Sequence, residues 1–320
     1  MGSMVVDKNG VILINKEKGM ISHDVVQGIR RILSKSKVGH IGTLDPAATG
    51  LLPIMIGDAN RLHIYMSKGK KKYAGTIFLG QSTDTYDSAG EPTSEFKDVR
   101  FEEAEIRNVL YDFSGAIEQV PPPYSAVKLN GKPLHKYARE GNLLHLKPRP
   151  VEIFSISLDS LEKNILSITV ICSQGTYIRS IANDIGAKLG CGAHLQSLER
   201  RAVGELDLSD AVRFDDLQEN PEERFSSGCF RPLGELLPNL PALRVLDEEA
   251  RLFSCGGRVD FNPALYTPPN ETSLNFYQKD DQSAVKIFFD TQMLGIGIIE
   301  SGAWVRPAAV FGAGLVKHLE

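Results

Sequence analysis

Apolar and polar positions along the chain alternate with two different periods. Residues 11–14 form an unbroken apolar run closed by Asn15-Lys16-Glu17-Lys18-Gly19, which predicts a buried strand ending in a turn. Val25, Val26, Ile29, Ile32 and Leu33 then recur at helical spacing, and Ser22 stands where a helix cap belongs. Residues 73–80 read as a strand and 81–92 as a polar loop. Glu102 and Glu103 open a helix reaching about Phe113, with acids at its positive end. Residues 151–158 and 165–172 predict paired strands around a turn near 162–164. Ser173-Gln174-Gly175 predicts a further turn, with Thr176 as cap of the next helix. That helix carries Ile178, Ile181, Ala182, Ile185 and Leu189 on one face and stops at Gly190. Arg179 lies off that stripe. Residues 205–221 and 232–241 read as a linker, 247–255 as a short helix, and 284–289, 294–299 and 304–311 as three strands of a small β-rich domain.

One stretch fits neither period. Residues 39–50 hold Gly39, Gly42 and Gly50 with Thr43, Pro46 and Thr49, a composition that predicts a loop held by contacts rather than by a ladder. Asp45 is the one acid between Gly39 and Ile56. Pro121-Pro122-Pro123 makes a second break, and the stretch from there to Pro150 reads as a surface insertion.

Composition changes the picture in two places. The chain is 42% hydrophobic and 24% charged, ordinary for a soluble protein. It has no apolar run near the roughly 18 residues that a membrane span needs. No secretory pattern is present, residues 1–3 and 319–320 are expected to lie outside the fold, and four scattered cysteines argue against both structural zinc and a disulfide scaffold. These features predict a reduced, cytoplasmic setting. A net charge of −4 counts weakly against nucleic acid, but its distribution counts the other way. Between Pro121 and Pro150 six basic residues face Glu140 alone, and Arg61 and Lys68-Gly69-Lys70-Lys71-Lys72 add a second basic cluster. A local basic face is what a polyanion requires.

Several chemistries fall away. Gly295-Ile296-Gly297 lacks the third glycine and the helix of a dinucleotide site, no phosphate-binding Gly-Lys loop occurs, and no histidines pair at metal-binding spacing. A glycosidase wants two acting carboxyls. What remains is one carboxylate in a glycine-rich loop, with an aromatic beside a lysine run and a basic insertion. This suggests metal-free carboxylate chemistry on a nucleic acid.

The motifs carry the reading further. Leu13-Ile14-Asn15-Lys16-Glu17-Lys18-Gly19-Met20, then Ser22-His23-Asp24, the 39–50 loop, Lys72-Tyr73, and Tyr124-Ser125-Ala126-Val127-Lys128 occur in order. They are followed by Gly175-Thr176-Tyr177-Ile178-Arg179-Ser180-Ile181-Ala182 and Gly192-Ala193-His194-Leu195. This set resembles the TruB family of bacterial tRNA pseudouridine-55 synthases over nearly the whole first 205 residues. The resemblance implies an α+β catalytic domain over residues 4–235, with a central mixed, mainly antiparallel sheet flanked by helices and a thumb inserted at about 121–150. It also implies a PUA-like RNA-binding domain over 240–318. The expected activity is isomerisation of uridine 55 to pseudouridine in the TΨC arm of tRNA, by base flipping, without metal or cofactor. The expected partner is the tRNA T-arm alone, with no membrane, no required protein partner and a monomeric enzyme. By motif position, Asp45 matches the catalytic aspartate, Arg179 its paired arginine, and Tyr73 the tyrosine that stacks on the target base. His40 matches the residue beside the flipped nucleotides, while Lys16, Tyr177, Arg61 and Lys128 match substrate-binding positions. The chain departs from the family at Gly57-Asp58-Ala59-Asn60-Arg61, where Gly-Glu-Ala-Thr-Lys is usual. It departs again at Ser173-Gln174-Gly175, which drops an expected lysine, and at Lys16-Glu17-Lys18-Gly19.

Overall fold

The computed structural model describes residues 9–34, 37–125, 128–129, 132–134, 137, 146–226, 228–269 and 283–311. Strands β1 (Gly10–Lys16), β2 (Val38–His40), β3 (Thr49–Ile56), β4 (Lys71–Leu79) and β5 (Gly115–Gln119) precede the insertion. The short pair β6 (Lys128–Leu129) and β7 (Lys132–Pro133) lies within the insertion. Then follow β8 (Arg149–Glu162), β9 (Ile165–Cys172), β10 (Ala193–Val203), β11 (Leu206–Asp207), β12 (Val212–Arg213) and β13 (Phe230–Pro232). All but β6 and β7 join one sheet in the order β12-β1-β3-β10-β4-β9-β8-β5, with β2 also on β3, β11 on β10 and β13 on β1. Only the β1–β12 and β3–β10 pairings run parallel. Helices α1 (Ser22–Leu33), α2 (His63–Met66), α3 (Glu103–Tyr111), α4 (Ile178–Lys188), α5 (Phe214–Glu219) and α6 (Pro221–Ser226) complete this α+β unit.

The apolar run of β1 is unbroken because both faces of the strand are covered. Ile12 and Ile14 enter one core with Val25, Val26, Ile29 and Leu33 of α1, whereas Val11 and Leu13 enter another on the opposite face. Each such side chain, fully withdrawn from water, contributes about 1.5–3 kcal/mol. The second core is shared with the C-terminal region. Ile41, Leu51, Tyr65, Met66 and Val203 pack there with Leu236, Leu240, Ala284, Met293, Ile296 and Phe311.

The C-terminal region is a six-stranded sheet in the order β15-β19-β18-β17-β14-β16. Its elements are β14 (Ala242–Arg244), α7 (Asp247–Ser254), β15 (Val259–Asp260), β16 (Tyr266–Thr267), β17 (Ala284–Phe289), β18 (Gln292–Glu300) and β19 (Trp304–Val310). The expected helix and three long strands are present, and β14, β15 and β16 join them.

Four expectations are corrected. Residues 205–221 and 232–241 are not a free linker: β12 and β13, on either side of α5 and α6, both pair with β1. The 39–50 stretch is a strand at both ends, and only Ile41–Ala48 is loop. Ser22 does not cap α1, and Thr176 does not cap α4; the caps are Ile21 and Tyr177, neither with a side-chain bond. Strands β3 and β10 are additions to the sequence reading. β3 tolerates Pro53 because, on the edge facing away from its β1 partner Leu13, that residue falls between the pairing with β2, which stops at Ile54, and the pairing with β10, which covers only Thr49 and Gly50. No ladder donor is required there.

The insertion leaves and re-enters the sheet at one place, since β5 pairs β8 with Gln119 opposite Arg149. Most of its residues between 126 and 145 lie outside the described residues.

Candidate active site

The Asp45 loop is fastened from below. Ser22 Oγ accepts the N–H of Leu44 at 3.0 Å and donates to the same residue's carbonyl at 2.9 Å. The Gly19 N–H donates to the Pro46 carbonyl at 2.8 Å. Lys16 Nζ reaches that carbonyl at 3.4 Å and those of Glu17 and Met20 at 3.0 and 2.9 Å. Lys16 is fully buried, and its amine is pushed down to about 8, chiefly by burial and against the pull of Asp45. Leu44 is buried while the neighbouring Asp45 side chain is 45% exposed, so the anchored loop presents one carboxylate to the solvent side.

That carboxylate meets Arg179, in the first turn of α4. Arg179 Nε stands 3.0 Å from Asp45 Oδ2 and 3.6 Å from Asp87 Oδ2. Its terminal nitrogens donate to the carbonyls of Thr85 at 3.1 Å and Tyr124 at 3.0 Å. Nε itself completes no hydrogen bond, so its contact with both carboxylates is ionic. The guanidinium is buried by the loops around it, as its place off the apolar stripe of α4 requires. Asp87 is held in turn by the Thr85 hydroxyl at 2.6 Å and the Ala89 N–H at 3.0 Å.

These groups line a cleft of about 690 Å³ with Tyr73, Tyr177, Lys71, Leu198 and Arg200. Tyr73 points inward from β4, and burial pushes its phenol up from the ordinary value while Arg200 opposes the rise. Tyr177 precedes α4, and Gln119 brackets its peptide, accepting from its N–H at 2.8 Å and donating to its carbonyl at 3.0 Å. Burial raises the Tyr177 phenol as well. Lys71 Nζ donates to the carbonyls of Ser67 and Gly69 at 2.7 and 2.8 Å, and burial lowers it to about 8. This corrects the reading of the whole 68–72 run as a solvent-facing basic cluster.

The cleft thus joins Asp45, Tyr73, Arg179 and Tyr177. Lys16 lies beneath the loop rather than in the cleft. His40, half-buried on β2, stands outside the lining residues with Nδ1 unbonded, and burial, then Arg200, His63 and His23, lower its pKa. Arg61 sits elsewhere. It donates to the Val310 carbonyl and lines a second cleft with Gly256 and residues 307–310. The Lys128 backbone belongs to β6, and its side chain lies outside the described residues. Among the described residues no three His, Cys, Asp or Glu side chains gather as a metal set.

Sequence reasoning missed Asp87, Arg200 and the burial of Lys71. Strand alternation signals two of them, since Lys71 and Tyr73 share one face of β4, as Leu198 and Arg200 share one face of β10.

A mixed, mainly antiparallel sheet flanked by helices, with a second β-rich sheet after it, is the pseudouridine synthase fold. Residues 30–178 match the TruB family pseudouridylate synthase N-terminal domain, and residues 179–237 match the tRNA pseudouridylate synthase B C-terminal domain. The chain is 44% identical over 237 residues to tRNA pseudouridine synthase B of Solibacter usitatus, covering 74% of this chain and 81% of that one. It is 38% identical over 307 residues to tRNA pseudouridine synthase B of Haemophilus influenzae, covering 95% and 93%. Among solved structures, a Cbf5-Nop10-Gar1 complex superposes with a TM-score of 0.71 at 24% identity, covering 95% of this chain and 85% of that chain, a likeness of fold. The chain belongs to the TruB family of pseudouridylate synthases, isomerases that modify tRNA.

Proposed function

We propose that the protein converts uridine 55 in the TΨC arm of tRNA to pseudouridine, acting as a monomer on RNA alone. The observation that carries this reading is the Asp45 carboxylate, nearly half exposed and 3.0 Å from the buried Arg179 at the mouth of a cleft floored by Tyr73. The target uridine is extruded from its loop, which costs a few kcal/mol. Stacking on Tyr73 recovers about 1–3 kcal/mol of this. Asp45 acts at the ribose: the N1–C1′ bond breaks, the base turns, and C5 bonds to C1′. The C5 proton then leaves near the Tyr73 hydroxyl while N1 gains one, so the product is an isomer and no co-reactant is consumed. Arg179 keeps Asp45 in place as the nucleotide displaces water. His40, its pKa lowered, fits as a neutral ring filling the space the nucleotide vacates. Tyr177 lines the cleft beside the base. Lys128 and the basic insertion neutralise phosphates, making binding salt-sensitive. Arg61 meets the RNA at the seam with the C-terminal sheet, whereas Lys16 supports the loop from beneath.

The test is a T-arm transcript incubated with purified protein alone, with pseudouridine quantified at each position. Wild type converts position 55 and Asp45→Asn binds without converting it. Equal conversion by both removes Asp45 from the chemistry, and conversion only with added guide RNA and protein partners removes the T-arm reading.

A further inference from the structure

Arg200 on β10 heads the largest fully buried side chains, at 1% exposure, yet the mechanism above does not use it. Among the described residues no carboxylate forms an ion pair with it. An unpaired buried charge is costly, and an apolar residue of similar volume would pack at least as well. Its hydrogen bonds are more informative. Nε donates to the Leu51 carbonyl at 2.8 Å and a terminal nitrogen donates to the Gly42 carbonyl at 2.9 Å. Those two residues bracket the segment that carries Asp45. A glycine at positive φ stands at each end, 72° for Gly42 and 97° for Gly50. A Cβ on Gly50 would meet the Arg200 carbonyl at 2.4 Å, so loop and strand touch without a side chain between them. Arg200 also faces Tyr73 directly across the β4–β10 ladder, and its cation opposes the rise that burial imposes on the phenol.

We propose that Arg200 is a positioning residue for pseudouridine formation: one guanidinium ties both ends of the Asp45 loop from the strand position that faces Tyr73, holding carboxylate and phenol in fixed relation. The proposal rests on the reading of Asp45 and Tyr73 as the acting groups. The cation also favours the deprotonated phenol. The other charged or titratable groups acting on Tyr73 are Cys172 on β9 and Asp45 on the loop, and both act in the opposite sense.

Arg200→Gln and Arg200→Lys test this with three readouts: turnover at saturating T-arm RNA, KM, and the tyrosinate absorbance titration with Tyr73→Phe as blank. In Arg200→Gln, turnover falls about 10- to 100-fold with KM within about threefold. The Tyr73 titration moves to higher pH. Arg200→Lys keeps the charge but not the fork, so Tyr73 titrates near its wild-type position while turnover still falls. A folded Arg200→Gln with unchanged turnover and unchanged Tyr73 titration overturns the proposal. If the glutamine variant does not fold, the lysine variant decides: wild-type turnover overturns the proposal, and reduced turnover with native binding supports it. Asp45→Asn and Tyr73→Phe run alongside. Wild-type turnover in those two variants refutes the underlying site assignment, whatever Arg200 does.

Discussion

Ser22 and Leu44 exchange two hydrogen bonds in a site where both are buried, the hydroxyl accepting at 3.0 Å and donating at 2.9 Å. One side chain therefore satisfies both backbone polar groups of the residue immediately before Asp45. Ser22→Ala leaves a donor and an acceptor unpaired out of water, which costs about 1–3 kcal/mol each when unrelieved. The expected result is a lower unfolding midpoint and reduced turnover with RNA affinity unchanged, measured by thermal denaturation and single-turnover assay.

Arg179→Lys keeps a cation near Asp45 but cannot reach two carbonyls while standing between two carboxylates. A point charge on a flexible stem does not replace a planar fork. Turnover is expected to fall about 100-fold or more, since small misplacements of reacting groups carry penalties of that order. RNA affinity, measured by filter binding, stays near wild type.

Lys71 supplies a pH signature. Its folded pKa is near 8 against the ordinary lysine value of 10.5, so the unfolded chain binds more protons between those values. The penalty for holding the charged amine is full below pH 8 and is relieved as pH rises through 8 toward 10.5. The stability of wild type minus that of Lys71→Met is therefore expected to rise from neutral pH into this window, measured by urea denaturation. A flat difference would refute the depressed value.

The shared second core predicts how the chain unfolds. Ile296 belongs to the C-terminal sheet but lies in the same buried core as Ile41 and Leu51, at the two ends of the Asp45 loop. Ile296→Ala is expected to cost about 2–5 kcal/mol. The unit is expected to melt in one transition, with calorimetric and van't Hoff enthalpies in agreement. Two separate transitions would show that the regions fold independently.

Strongly periodic elements were legible in the sequence. The runs at 11–14, 165–172 and 284–289 and the stripe of α4 are strands and a helix as expected. What escaped was decided by tertiary contact. β10 carries Glu199, Arg200 and Arg201 in a row, yet it is central to the sheet, because Arg200 finds carbonyl partners about 150 residues away in sequence, at Leu51 and Gly42. Ser22 resembles a cap by position but is drawn into the Leu44 peptide, a partner that local pattern does not show. Asp45, Tyr73, Arg179 and Tyr177 were found by motif and meet in one cleft. Asp87 was hidden in a polar loop whose acids look alike until the fold aims one of them at Arg179.

The insertion that departs after β5 and returns at β8 is rooted in a single strand pair, with Gln119 facing Arg149. Its first residues are also tied to α4, where the Ser180 hydroxyl donates to the Val120 carbonyl at 2.8 Å and Arg179 donates to the Tyr124 carbonyl at 3.0 Å. Length and composition can therefore vary beyond these ties while the groups that fasten Asp45 and Arg179 stay where they are.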